Sequence, residues 1–100
     1  MGIGLIASFA DRATEGLFHG ETEKAIRRVP SDIRSVAVRK LDLLNAAHEL
    51  QDLRVPLGNR LEALKGALRG KHSIRINDQR RIVFRWENGD AHEVEIDDYH

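Results

Sequence analysis

The run from Arg81 to Asp97 restricts the fold of this chain more than any other segment. Arg81-Ile82-Val83-Phe84-Arg85-Trp86-Glu87 reads as a two-sided strand, and His92-Glu93-Val94-Glu95-Ile96-Asp97 alternates strictly between polar and apolar residues. Asn88-Gly89-Asp90 lies between them, and an Asn-Gly pair fits a type I′ hairpin, whose two central residues need φ > 0. Ser73-Ile74-Arg75-Ile76-Asn77 is strand-like as well and is followed by the turn residues Asn77-Asp78-Gln79. Three strands joined by two tight turns make an antiparallel meander, which must bury one face against another layer.

The first half of the chain has a helical period and supplies that layer. Pro30-Ser31-Asp32 opens a helix in which Ile33, Ala37, Leu41, Leu44 and Ala47 recur at spacings of 4, 4, 3 and 3, a single apolar stripe. This predicts a helix over residues 31–48 lying across the meander, an α+β two-layer domain. Leu5-Ile6-Ala7-Ser8-Phe9 reads as a short first strand. Asp11 is the expected N-cap of a helix running through Leu17-Phe18, with Gly20 at its C′ position. Residues 60–68 are ambiguous. Leu61, Leu64 and Leu68 are spaced as in a helix, and the intervening residues are good helix formers. Gly58 and Gly66 bracket a stretch short enough to be a strand; pattern alone favours the helix.

At 100 residues the chain is expected to be one domain, 1–100. It has no cysteine, which excludes a disulfide scaffold, a zinc ribbon and a thiol nucleophile. No apolar run is long enough for a signal peptide or a membrane span, so a soluble cytoplasmic protein without membrane partners is expected. The net charge of zero hides strong segregation. Residues 54–85 carry nine Lys/Arg against two Asp/Glu, and residues 86–100 carry six acidic residues and no Lys/Arg. The basic block points to a polyanionic partner. The competing reading is that strands of the two blocks pair and neutralise each other across the sheet.

Gly66-Ala67-Leu68-Arg69-Gly70-Lys71-His72-Ser73 fails as a phosphate-binding P-loop: it is one residue short, and His72 stands where a metal-binding hydroxyl is required. The five histidines, His19, His48, His72, His92 and His100, make no i, i+4 pair, so no metal site and no cofactor is expected. The ending Asp98-Tyr99-His100 follows a strand directly. Histidine is the natural proton-transfer group near neutral pH, and a phenol can orient a hydroxyl or stack on a base. A C-terminal strand paired with residues 81–86 would bring this tail toward Arg81 or Arg85 and the loop bearing Lys65, Arg69 and Lys71. A base, an acid and several cations are what metal-free RNA cleavage requires.

Leu53-Arg54, Pro56-x-Gly58-Asn59-Arg60-Leu61-Glu62-Ala63-Leu64-Lys65-Gly66, His72 to Gln79, Arg81-Ile82-x-Phe84-x-Trp86, Asn88-Gly89-Asp90-Ala91 and Val94-Glu95-Ile96-x-Asp98-Tyr99-His100 together resemble the HigB-type toxins, or proteic killer proteins. The resemblance covers nearly the whole chain. It implies a RelE/ParE-like fold, in which an N-terminal strand and two helices pack on a twisted antiparallel sheet, and it reads Leu61–Lys65 as a strand. It further implies a type II toxin acting as an endoribonuclease on mRNA in the ribosomal A site. The implied partners are the ribosome, mRNA and a helix-turn-helix antitoxin of the HigA type, through which alone operator DNA is engaged. The resemblance assigns catalysis to Asp98, Tyr99, His100, Arg81 and Lys65. Glu62 stands where some members place a functional histidine, a position from which a carboxylate can act as base. Arg60, Arg69, Lys71, Arg75 and Arg80 are the candidate RNA-binding residues. Which of Tyr99 and His100 is acid and which is base stays open. Two other readings also remain: a non-nucleolytic ParE-like inhibitor of DNA gyrase, and a plain RNA- or ribosome-binding module.

Overall fold

Ile33, Ala37, Leu41, Leu44 and Ala47, the stripe read from spacing, are all buried, none more than 4% exposed. The computed structural model that shows this describes residues 5–98. Helix α1 spans Arg12–His19 and a short α2 spans Glu23–Ile26. The expected 31–48 helix begins as a 3₁₀ turn, Ser31–Ile33, and continues as α3, Arg34–Ala46. The sheet is fully antiparallel in the order β1 (Glu62–Ala63), β2 (His72–Arg75), β3 (Arg80–Glu87) and β4 (Asp90–Asp98). Ile74, Ile76, Ile82, Phe84, Ala91, Val94 and Ile96 form one core with the α3 stripe, Ala13, Leu17, Val29 and Leu53.

Among the described residues the helical layer therefore has three helices rather than two, and α1 and α2 meet at a glycine. A Cβ on the buried Gly16 would approach Ile26 Cγ2 to 3.3 Å, so the missing side chain lets the two helices close. Gly20 ends α1 in the left-handed conformation, as its position suggested. Asp11 stands at the N-cap but makes no capping bond there; its carboxylate accepts from Arg28 Nε at 3.0 Å instead.

The expected first strand does not form as a strand. Residues 5–10 touch β4 through two isolated parallel bridges, Ile6 with Ala91 and Phe9 with Val94. Ala7 and Ala10 donate to the carbonyls of Ala91 and Val94, whose own amides donate to Leu5 and Ser8. Farther along the same edge, Ile96 N–H donates to the buried Thr14 Oγ1 at 3.0 Å, and Ile96 C=O accepts from Arg28 Nη2 at 3.3 Å. The outer edge of β4, which would otherwise offer a row of unpaired backbone groups, is thus covered by one chain segment and then by two side chains.

The helix that pattern favoured over residues 60–68 is absent. Arg60 adopts a left-handed φ of 45° and Gly66 a φ of 65°, either of which interrupts a right-handed helix. Between them lie the two residues of β1, shorter than the Leu61–Lys65 strand the resemblance implied, and Gly66–Leu68 closes as a 3₁₀ turn. The buried Asn59 anchors this region. Its amide donates to Leu53 C=O at 3.1 Å and Val55 C=O at 3.4 Å, and its carbonyl accepts from Lys40. Partial burial pushes the Lys40 ammonium below its ordinary pKa, and nearby Arg39 acts in the same direction.

The β3–β4 hairpin closes through Asn88 and Gly89, at φ 54° and 81°, the positive pair a type I′ turn demands. The strict alternation read from His92 onward is broken by a bulge. Val83 faces Glu95 but Arg85 faces His92, and the extra residue includes Glu93 at a φ of 54°. The bulge lets Ala91 and Val94, three residues apart, both enter the core, and it turns His92 outward.

Candidate functional site

Side chains alternate across a strand, so the register decides which charges share a face. Ile74, Ile82 and Ile96 form one rung of the core face. The neighbouring rung of the opposite face is Arg75–Arg81–Asp97. Asp78, from the β2–β3 turn, pairs with Arg75, and Asp97 accepts from Arg81 Nη2 at 3.3 Å. An acid–base–base–acid row therefore crosses the sheet, with two arginines side by side at its centre.

One step along the same face comes the rung Glu62–Ser73–Val83–Glu95. Ser73 is buried, and its hydroxyl has no hydrogen-bond partner among the described residues. Glu62, Arg60, Arg75 and Asp78 line a shallow groove of about 320 Å³. Farther along, Arg85 bonds Glu87 and Glu93, which hold its guanidinium above its ordinary pKa, the Glu93 contact contributing most. Lys71 Nζ lies 3.9 Å from Glu93.

The site residues read from sequence thus separate into groups. Arg81, Arg75 and Glu62 share the outer face. Arg80 has the opposite parity and pairs with Asp98, Nε to Oδ1 3.1 Å, so the structure sets Asp98 opposite Arg80 rather than opposite Arg81. Tyr99 and His100 lie outside the described residues. Lys65 and Arg69 are exposed on the β1–β2 connection, and Arg60 is exposed just ahead of β1.

Of the nine cations between residues 54 and 85, Lys71, Arg75, Arg80, Arg81 and Arg85 are paired to carboxylates. The competing reading, in which the two charged blocks neutralise each other, therefore holds for Arg80, Arg81 and Arg85 across β3 and β4 and for Lys71 just ahead of β2, whereas Arg75 pairs within its own block, with Asp78 of the turn. Arg54, Arg60, Lys65 and Arg69 are exposed and make no ion pair with the described residues. Arg54 was not singled out from sequence, although its place at the head of the basic block was a usable signal.

A larger groove of about 650 Å³ opens beyond the β1 edge, where Leu50, Leu57, Leu61 and Ala63 meet Arg54, Arg60 and His72. His72 stacks on Phe84 with ring centroids 6.3 Å apart, which places this groove on the core side of the sheet, away from the arginine row. No helix among the described residues is long and apolar enough to cross a membrane.

Helices packed on one face of a small antiparallel sheet, with the other face rich in arginine, define an architecture compatible with the RelE-like toxins. The family model described as RelE-like toxin of type II toxin-antitoxin system HigB matches residues 7–100. The chain is 43% identical over 89 residues to Toxin HigB-1 of Vibrio cholerae serotype O1, covering 89% of this chain and 92% of that protein. It is 34% identical over 79 residues to an uncharacterized protein of Haemophilus influenzae, covering 79% of this chain and 75% of that one. The chain belongs to the HigB-like family of type II toxins. Membership of that family implies an antitoxin partner.

Proposed function

We propose that this toxin is a ribosome-dependent endoribonuclease that cuts mRNA in the A site and so stops translation. The observation that carries the reading is the Arg75–Arg81 rung beside Glu62, on a sheet whose β4 runs in sequence directly into Tyr99-His100. A base drawn from Tyr99, His100 or Glu62 takes the proton of the ribose 2′-hydroxyl. The resulting oxygen attacks the adjacent phosphorus, and an acid protonates the leaving 5′-oxygen. Arg81, with Arg75 beside it, stabilises the extra negative charge of the pentavalent transition state, and Lys65 adds a further cation from the β1–β2 connection. None of these steps calls on a cofactor.

Arg54, Arg60, Lys65 and Arg69, exposed and without an ion pair among the described residues, are suited to the phosphate backbone of mRNA or ribosomal RNA. Lys71, Arg75 and Arg80 reach RNA only by leaving a carboxylate. The antitoxin in this reading is a helix-turn-helix protein of the HigA type, acting in the cytoplasm and carrying the pair to operator DNA.

Primer extension on a defined mRNA in a purified translation reaction, with and without ribosomes, tests the reading on wild type, His100→Ala and Arg81→Ala. Cuts within codons that need the ribosome are expected. His100→Ala should lose about 10²–10⁴-fold in rate, and Arg81→Ala about 2–4 kcal/mol of transition-state stabilisation. Intact mRNA with accumulating DNA damage would replace this reading with gyrase inhibition. Salt-sensitive ribosome binding without any cut would leave a binding module.

A further inference from the structure

Arg75 and Arg81 face each other directly across β2 and β3. Like charges in that position repel, and the sheet tolerates them because Asp78 and Asp97 close the row at either end. The two carboxylates differ in origin. Asp78 comes from the turn and lies three residues from Arg75 in sequence. Asp97 comes from another strand, directly opposite Arg81, and the pair is the more sheltered of the two, with side-chain exposures of 14% for Arg81 and 35% for Asp97. A guanidinium offers the same planar fork of donors to a carboxylate and to a phosphate. The residue the proposed reaction needs for the scissile phosphate is therefore already engaged by an anion of the protein.

We propose that Asp97 is a resident counter-ion of the phosphate site, occupying Arg81 at rest and displaced from it by the RNA phosphate. The inference rests on the nuclease reading for the identity of the incoming anion. The exchange breaks and forms no covalent bond. A phosphodiester arriving at Arg81 takes over the countercharge and repels the carboxylate. Asp97, more exposed than its partner, has solvent available when it releases. At rest the carboxylate holds the guanidinium in the row and keeps two adjacent arginines from binding stray anions. It sets a threshold that a phosphate presented by a well-positioned RNA passes more readily than a loosely held one.

The test uses the whole chain and a 2′-O-methyl oligoribonucleotide, which keeps the phosphates but lacks the 2′-hydroxyl. Its binding is followed by fluorescence anisotropy over a series of salt concentrations for wild type, Asp97→Asn, and Asp97→Asn combined with Arg81→Gln. Asparagine keeps the shape and one acceptor for Arg81 while removing the charge. Asp97→Asn should bind about tenfold more tightly at low salt, the scale of one charge-assisted contact. Its plot of log affinity against log salt should steepen by about 0.7, because without the displaced carboxylate one more phosphate charge on a single strand is neutralised net. The double variant should lose both gains. Unchanged affinity and slope in Asp97→Asn, or a gain that survives loss of Arg81, overturns the proposal. Ribosome-dependent cleavage by wild type, with no tightening in Asp97→Asn, defeats the counter-ion and leaves the nuclease. Tightening through Arg81, with no cleavage by any variant, keeps the anion exchange and defeats the nuclease.

Discussion

Replacing Thr14 with valine should destabilise this domain through one hydrogen bond at the end of β4. Thr14 is fully buried, and its Oγ1 accepts the Ile96 amide at 3.0 Å and lies 3.5 Å from Arg28 Nη2. Valine matches threonine in shape but offers no acceptor, so the Ile96 N–H stays dry and unpaired. Such a group costs about 1–3 kcal/mol. For a domain of this size that lowers Tm by roughly 4–8 °C per kcal/mol, so a fall of at least ~4 °C is expected. Thr14→Ser keeps the acceptor and loses one methyl, about 0.8 kcal/mol. Urea unfolding of the three proteins gives the ordering wild type, serine, valine. Amide exchange localises it: the Ile96 proton should lose protection in the valine variant before those of Ile74 and Ile82 do. A valine variant within about 0.3 kcal/mol of wild type, or one more stable than serine, would show that Thr14 acts by packing and refute the reasoning.

Leu41 is fully buried on α3 beneath the sheet, and Leu41→Ala should cost about 2–5 kcal/mol in urea unfolding; a loss under 1 kcal/mol would mean that this interface collapses to fill the space. Asp52 accepts the amides of Glu49 and His48, which hold its carboxyl below the ordinary aspartate range. Because the folded pKa is the lower one, its stabilisation is present above about pH 4 and disappears as pH falls through the folded value. Asp52→Asn should therefore lose stability near neutral pH and converge on wild type in acid; unfolding curves that keep a constant separation across that window would exclude the linkage.

The sequence exposed the parts of this fold that depend on period and on turn chemistry. The α3 stripe and the Asn88-Gly89 turn follow from local rules, and the structure obeys them. Residues 60–68 escaped because leucine spacing measures periodicity, whereas the positive φ values of Arg60 and Gly66 decide the conformation. Residues 5–10 escaped because their partners on β4 lie about 85 positions away, and a short apolar run does not reveal whether its neighbour is parallel. The bulge at Glu93 was hidden by an alternation that looks complete on paper.

Half of the candidate site has the same origin. The basic block was visible as composition, but composition cannot say which arginine meets which carboxylate. The register assigns Asp97 to Arg81 and Asp98 to Arg80, and it puts Arg80 and Arg81, adjacent in sequence, on opposite faces. The set Arg54, Arg60, Lys65 and Arg69, which has no ion pair among the described residues, is defined by that same pairing, since it is what remains after the other cations have taken their partners.

The position of β4 sets a timetable for the molecule. This strand follows every other element among the described residues, yet it lies between β3 and residues 5–10, which bond no other strand among those residues. During folding the first segment and the basic strands stay unjoined until the acidic strand docks between them. During that interval Arg80 and Arg81 have neither Asp98 nor Asp97. Contacts across so much of the sequence also form slowly. The strand that tames these arginines is therefore the same one that joins the two ends of the described chain.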